Sequence, residues 1–211
     1  MPGRARKLAA EARWAVLDRL HALRIRPIPL PASVAHRRVV LVGASVGFEW
    51  KLHLVFPNLE ARPIYRFDKT ELVEQAVAEG PDAIILKECA AYFPSADPDG
   101  ERALFAGWVQ QIRARGIVPI VATVVPVTRN HAASEPGRLE GLLAFNDWVR
   151  ELARREQLAV LDLEAAVRRS ASERRLDDAL HSGDGLHLEP RTYRERLDPL
   201  IPPLLLRAFT A

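Results

Sequence analysis

Cysteine is nearly missing from the chain: Cys89 stands alone among 211 residues. An internal disulfide framework and a zinc site built on several thiolates are thereby excluded. Long apolar runs are missing too, none approaching the roughly 18–20 residues that a membrane span requires. The charged N-terminus carries no apolar stretch of the kind that marks a secretory signal, so the expected location is cytoplasmic. Net charge is low, +3 from 30 Lys and Arg against 27 Asp and Glu. The basic residues are mostly Arg scattered among acids, and no nucleic-acid partner is expected. There is no internal repeat and no low-complexity segment.

What is present is enough apolar material, 48% of the chain, to fill one good core. Val39-Val40-Leu41-Val42 reads as a strand buried on both faces. It breaks at Gly43-Ala44-Ser45-Val46-Gly47, where small residues allow a tight turn before helical spacing resumes at Glu49. That turn fits neither the dinucleotide-binding Gly-x-Gly-x-x-Gly pattern nor the P-loop. Phe48 and Trp50, just beyond it, are expected to pack beneath the sheet.

Further strands are expected at residues 61–65, 83–86, 117–125 and 158–163. Helices are expected at 70–77, capped by Asp68 or Thr70, and at 101–115, 139–156 and 190–206. The last is expected to break near Pro199 and Pro202-Pro203. Residues 127–138, with His131, read as a long polar loop. Strands alternating with helices imply a parallel sheet covered on both faces. The expected architecture is α/β, a three-layer α/β/α sandwich around a central parallel sheet of about five strands.

Residues 1–35 form a separate leader to this domain, which spans 36–211. Residues 4–23 have the spacing of an amphipathic helix, with Leu8, Val16, Leu20 and Leu23 on one face. Pro27-Ile28-Pro29-Leu30-Pro31 is a stiff connector. Nine basic residues against two acidic ones lie between residues 1 and 38. The helix is expected to dock on the domain; a weak contact with an anionic surface or an acidic partner is the alternative.

Three polar residues carry the candidate chemistry. Ser45 follows the first strand, where an open α/β sheet exposes its ligand edge. Asp184 and His187 share the loop His181-Ser182-Gly183-Asp184-Gly185-Leu186-His187-Leu188. A Ser hydroxyl is a weak nucleophile and needs a base within hydrogen-bonding reach. His187 is the candidate base, and Asp184 the group that fixes its tautomer and stabilises its cation. Asp162, ending the fifth strand, is assigned a structural or capping role, and Cys89 a packing role.

The order and context of these residues resemble the SGNH, or GDSL-like, hydrolases. The resemblance rests on Gly43-Ala44-Ser45 after the first strand and on Asp184-Gly185-Leu186-His187-Leu188 before Pro190-Arg191-Thr192-Tyr193. It spans roughly residues 36–206. It implies a serine esterase or acyl hydrolase with a Ser45–His187–Asp184 triad and no metal or organic cofactor, acting on a small acyl ester or an acylated sugar. The chain departs from the family in three blocks. Ala44 stands where Asp is usual, Phe67-Asp68-Lys69 has no Gly, and Lys87-Glu88-Cys89-Ala90-Ala91 has no Asn. The family's Gly and Asn donors for the oxyanion are therefore missing, and only the Ser45 backbone N–H carries over. Gly43, Lys69, Lys87 and Glu88 are the local candidates for oxyanion or substrate contact. An acyltransferase using the same triad, and a catalytically weak domain binding an acylated or carbohydrate ligand, are the alternatives.

Overall fold

A computed structural model of the protein describes residues 25–63 and 69–210. The expected helix over residues 4–23 and the expected cap Asp68 lie outside the described residues. The chain runs β1 (Val39–Gly43), α1 (Ser45–Glu49), α2 (Leu52–Val55), β2 (Leu59–Pro63), α3 (Lys69–Ala78), β3 (Ala83–Lys87), α4 (Pro98–Ala114) and β4 (Val118–Ala122). It continues through α5 (Arg129–Ser134), α6 (Arg138–Glu156), β5 (Ala159–Leu161), α7 (Leu163–Val167), α8 (Pro190–Thr192) and α9 (Ile201–Thr210). A wide turn over Tyr193–Leu197 and a tight one over Asp198–Leu200 join α8 to α9.

All five strands are parallel, in the order β2-β1-β3-β4-β5. The chain leaves β1 for one side, returns, and continues on the other, so the strand order reverses beside β1. In such sheets the crevice at the carboxyl ends of the strands, at that reversal, is the ligand site. Every residue of β1 and β3 is buried. Val39, Leu41, Ala83 and Ile85 face a core shared with Trp50, Phe56, Leu197 and Leu204. Val40, Val42, Ile84 and Leu86 face a second core holding Val73, Phe105, Phe145 and Val149. This alternation on a twice-buried strand is why the sequence reads as an unbroken apolar run.

The structure corrects several boundaries. β2 begins two residues earlier than expected, because Val39 pairs with Leu59 on that edge. The helix after β1 begins at Ser45 rather than Glu49. Gly47 looks like a helix breaker, yet a Cβ there would lie 2.6 Å from Leu41 Cδ2, so close packing on β1 demands glycine. Lys51, at φ 54°, then separates α1 from α2. Thr70 lies inside α3 and does not cap it. α4 starts early because Asp97 accepts a hydrogen bond from Gly100 N, with Pro98 at the first helical position.

The expected loop at 127–138 contains α5, capped by the Thr128 hydroxyl on His131 N. Pro202 and Pro203 sit in the first turn of α9, where their missing N–H groups leave no intrahelical bond unmade, so they do not break it. Trp50 is fully buried, its Nε1 donating to Asp198 Oδ1 at 2.6 Å. Phe48 instead is exposed, with the Lys51 ammonium 3.8 Å from its ring centre. In the connector, Ile25, Ile28 and Leu30 pack against the first core, and Val34 is part of it.

Candidate active site

β1 delivers Ser45 to the carboxyl edge of the sheet as the first residue of α1, preceded by Ala44 in extended conformation. Gly43 has no side chain because a Cβ would lie 2.8 Å from Leu41 Cδ2 and 3.2 Å from Lys87 Cβ. The Lys87 stem thus lies against the backbone that ends β1.

The loop 181–188 is closed by a bridge between His181 and Leu188 and by Ser182 N donating to His187 O at 2.8 Å. Inside it, His181 Nδ1 accepts from Gly183 N and Gly185 N. Gly183 and Gly185 have φ of 108° and 75°, a region other residues rarely enter. Asp184 Oδ1 accepts from Leu186 N and His187 N, which turns the chain back so that Asp184 Oδ2 reaches His187 Nδ1 at 2.5 Å. His187 Nε2 lies 2.9 Å from Ser45 Oγ. With a carboxylate on Nδ1, that nitrogen holds the proton, and Nε2 is left to accept from the Ser45 hydroxyl.

α5 fixes this loop from outside. Thr128 N donates to Gly185 O at 3.0 Å. His131 Nδ1 donates to Asp184 O at 3.2 Å, while its Nε2 accepts from Arg138 at 2.7 Å. Partial burial acts to raise the Asp184 carboxyl, but the His187 ring and the two loop N–H groups outweigh it and hold the group down at about 2. Asp184 is therefore an anion throughout the neutral range.

Glu49 is the second carboxylate of the site. It stands four residues after Ser45, on the same face of α1. Its Oε1 is 4.0 Å from His187 Nε2, and its Oε2 accepts from the Tyr193 hydroxyl at 3.4 Å. Burial raises its carboxyl above the ordinary value, against the opposing pull of His187. Sequence reading missed Glu49; its spacing from Ser45 was the available signal. His131 and Arg138 were missed as supports of Asp184 because only the tertiary fold joins them.

The other predicted residues gather at the exit of β3. The Glu88 carboxylate pairs with the Lys69 ammonium, which also lies 4.7 Å from the Trp108 ring centre and 5.5 Å from that of Tyr92. The Lys87 ammonium, 2% exposed, donates to the Glu88 carbonyl at 2.7 Å. Burial pushes Lys87 down to about 8. Cys89 is half-buried. Asp162 caps α7 through Ala165 N and pairs with Arg150. Among the described residues no His, Cys, Asp and Glu cluster could hold a metal ion, and no helix is long and apolar enough to cross a membrane.

The family model of GDSL-like lipases and acylhydrolases matches residues 92–195, a span that includes Asp184 and His187 but not Ser45. Among curated proteins nothing matches. The fold is similar to that of a GDSL-like lipase from Bacteroides thetaiotaomicron, 14% identical, with a TM-score of 0.68 over 93% of this chain and 97% of the other. It is also similar to an acetylxylan esterase from Geobacillus stearothermophilus, 14% identical, with a TM-score of 0.56 over 83% and 95%. A further acetyl xylan esterase is 15% identical, with a TM-score of 0.56 over 76% and 96%. At these identities the likeness is one of fold.

Proposed function

We propose that the chain, whose residues 92–195 match the GDSL-like lipase/acylhydrolase model and whose fold is that of a GDSL-like lipase, is a serine esterase whose nucleophile is Ser45, whose base is His187 and whose orienting carboxylate is Asp184. The observation that carries this reading is the unbroken contact from Asp184 Oδ2 through the His187 ring to Ser45 Oγ. Ser45 Oγ attacks the acyl carbon and forms the new C–O bond, while its proton passes to His187 Nε2. The imidazolium is stabilised by Asp184 and then protonates the leaving alkoxide as the ester C–O bond breaks. Water repeats the sequence on the acyl-enzyme: it gives a proton to His187, attacks the acyl carbon, and releases the acid as Ser45 recovers its proton.

The Ser45 N–H, a first-turn donor of α1, is the donor assigned to the oxyanion. Lys87, its stem against Gly43 and its ammonium buried on the Glu88 carbonyl, would add positive potential there, in place of the family's missing Gly and Asn donors. Lys69 and Glu88 act as a pair that holds the β3 exit. The substrate class is a small acyl ester, an acylated carbohydrate included; the folds that carry acetylxylan esterases support that choice. Labelling by a fluorophosphonate probe tests the reading. Native protein should be labelled and Ser45→Ala should not; equal labelling of both would refute it.

A further inference from the structure

We propose that Glu49 is a charge filter: it makes the site disfavour esters whose acyl group carries a negative charge and favour neutral or cationic ones. The inference rests on the reading of Ser45 as nucleophile and names the substrate class of that same site.

Glu49 Oε1 and Ser45 Oγ lie around one nitrogen, at 4.0 Å and 2.9 Å from His187 Nε2. Glu49 Oε1 is therefore no more than about 7 Å from Ser45 Oγ, the atom that would carry the acyl group. The carboxylate is placed rather than free-swinging. Ser45 and Glu49 share a face of α1, and Tyr193, 2% exposed, holds one oxygen. Its side chain is still 26% exposed, so it faces the space a substrate enters.

The charged and titratable groups around it are His187, Tyr193, Asp184 and Lys51. Asp184 adds a second negative charge from beyond the imidazole. Lys51 acts on Glu49 more weakly than any of the other three, and its ammonium lies against the Phe48 ring. The Lys69 and Lys87 ammonium groups are both engaged by Glu88, one by its carboxylate and one by its carbonyl. The carboxylates recorded beside the His187 ring are therefore those of Glu49, on the Nε2 side, and Asp184, on the Nδ1 side. Carboxylates on partly buried side chains are screened less than in water, and they discriminate between substrates by repulsion as much as by attraction. Asp184 serves the imidazole through Nδ1, and the attack on the acyl carbon has no use for Glu49. Its place there is explained by what it admits.

The test compares para-nitrophenyl butyrate with its trimethylammonio analogue and with para-nitrophenyl hydrogen succinate, at about pH 8, well above the ordinary carboxylate range. Each kcat/KM is divided by the uncatalysed rate of the same ester. Native protein should favour the cationic over the anionic ester by at least about tenfold, with the neutral one between. Glu49→Gln should bring the three within about threefold of one another, and Glu49→Lys should reverse the order. A merely structural role moves all three rates together and leaves their ratio alone. The filter is refuted if Glu49→Gln still cleaves the neutral ester in a Ser45-dependent way with the native ratio unchanged. If Glu49→Gln fails to fold, an order in the native protein that favours the anionic ester refutes it equally. No Ser45-dependent cleavage of any of the three would overturn the esterase reading, and the filter with it.

Discussion

Replacing Lys87 by Met should make the protein more stable at neutral pH and less stable at high pH. Lys87 ends β3 with its stem across Gly43 and its ammonium buried on the Glu88 carbonyl. Burial moves the amine from 10.5 to about 8. At 1.36 kcal/mol per pH unit, that displacement is a cost of roughly 3 kcal/mol for keeping the charged form in the folded state. Met fills a similar volume without charge. It also loses the hydrogen bond to Glu88, about 1 kcal/mol, so the net gain at pH 7 is about 2 kcal/mol. The sign follows from proton counting. Between about 8 and 10.5 the unfolded chain binds more protons at this site than the folded one, so native stability rises with pH through that window. Above it Lys87 is neutral in both states, the cost has vanished, and the variant is left without its hydrogen bond. Urea unfolding of the two chains at about pH 7 and about pH 11 measures this, and taking their difference cancels the other titrating groups. A variant destabilised equally at both pH values would refute the reasoning.

Asp184→Asn should lower kcat by roughly 10³–10⁴ on an activated ester, since an amide no longer fixes the His187 tautomer or stabilises its cation. Steady-state kinetics with a melting curve as control would check it. The carboxyl sits at about 2 in the fold. The Asp184–His187 contact should therefore hold down to that pH, and the stability it lends should fade only as pH falls from the ordinary carboxylate range of about 4. An acid titration followed by the His187 ring signals would show this. Gly185→Ala should cost about 1–2 kcal/mol from its φ of 75°. It should also displace the loop, because the new Cβ would lie 2.4 Å from Thr128 Oγ1 and 3.0 Å from His131 Cβ. The expected result is a kcat loss larger than the change in melting temperature explains.

The sequence disclosed the parts of this fold that local pattern controls. β1 and β3 were legible because burial on both faces leaves continuous apolar runs with sharp ends. β2 was misplaced because an edge strand reading Leu59-Glu60-Ala61-Arg62-Pro63 has no such run. α1 was misread because Gly47 answers to the Leu41 side chain, a contact invisible without the fold. α5 was hidden in a polar stretch whose cap, Thr128, gives no apolar periodicity to follow. In the site, Ser45, Asp184 and His187 stood out by order and by the glycines around them, and the structure brings them together. Lys69 and Lys87 were drawn from the exits of β2 and β3, and their shared engagement by Glu88 depends on burial that composition does not reveal. His131, Arg138 and Glu49 act across 7 to 138 residues of chain, or across one helical turn that drew no notice.

The most direct measurement of the central claim is capture of the acyl-enzyme. Native protein mixed with para-nitrophenyl acetate and quenched in acid within the first turnover should carry one acetyl group. Peptide mass mapping should place that group on Ser45, with a matching burst of para-nitrophenol, and Ser45→Ala should show neither. Hydrolysis that persists in Ser45→Ala, or an acetyl group found on another residue during turnover, would contradict the account.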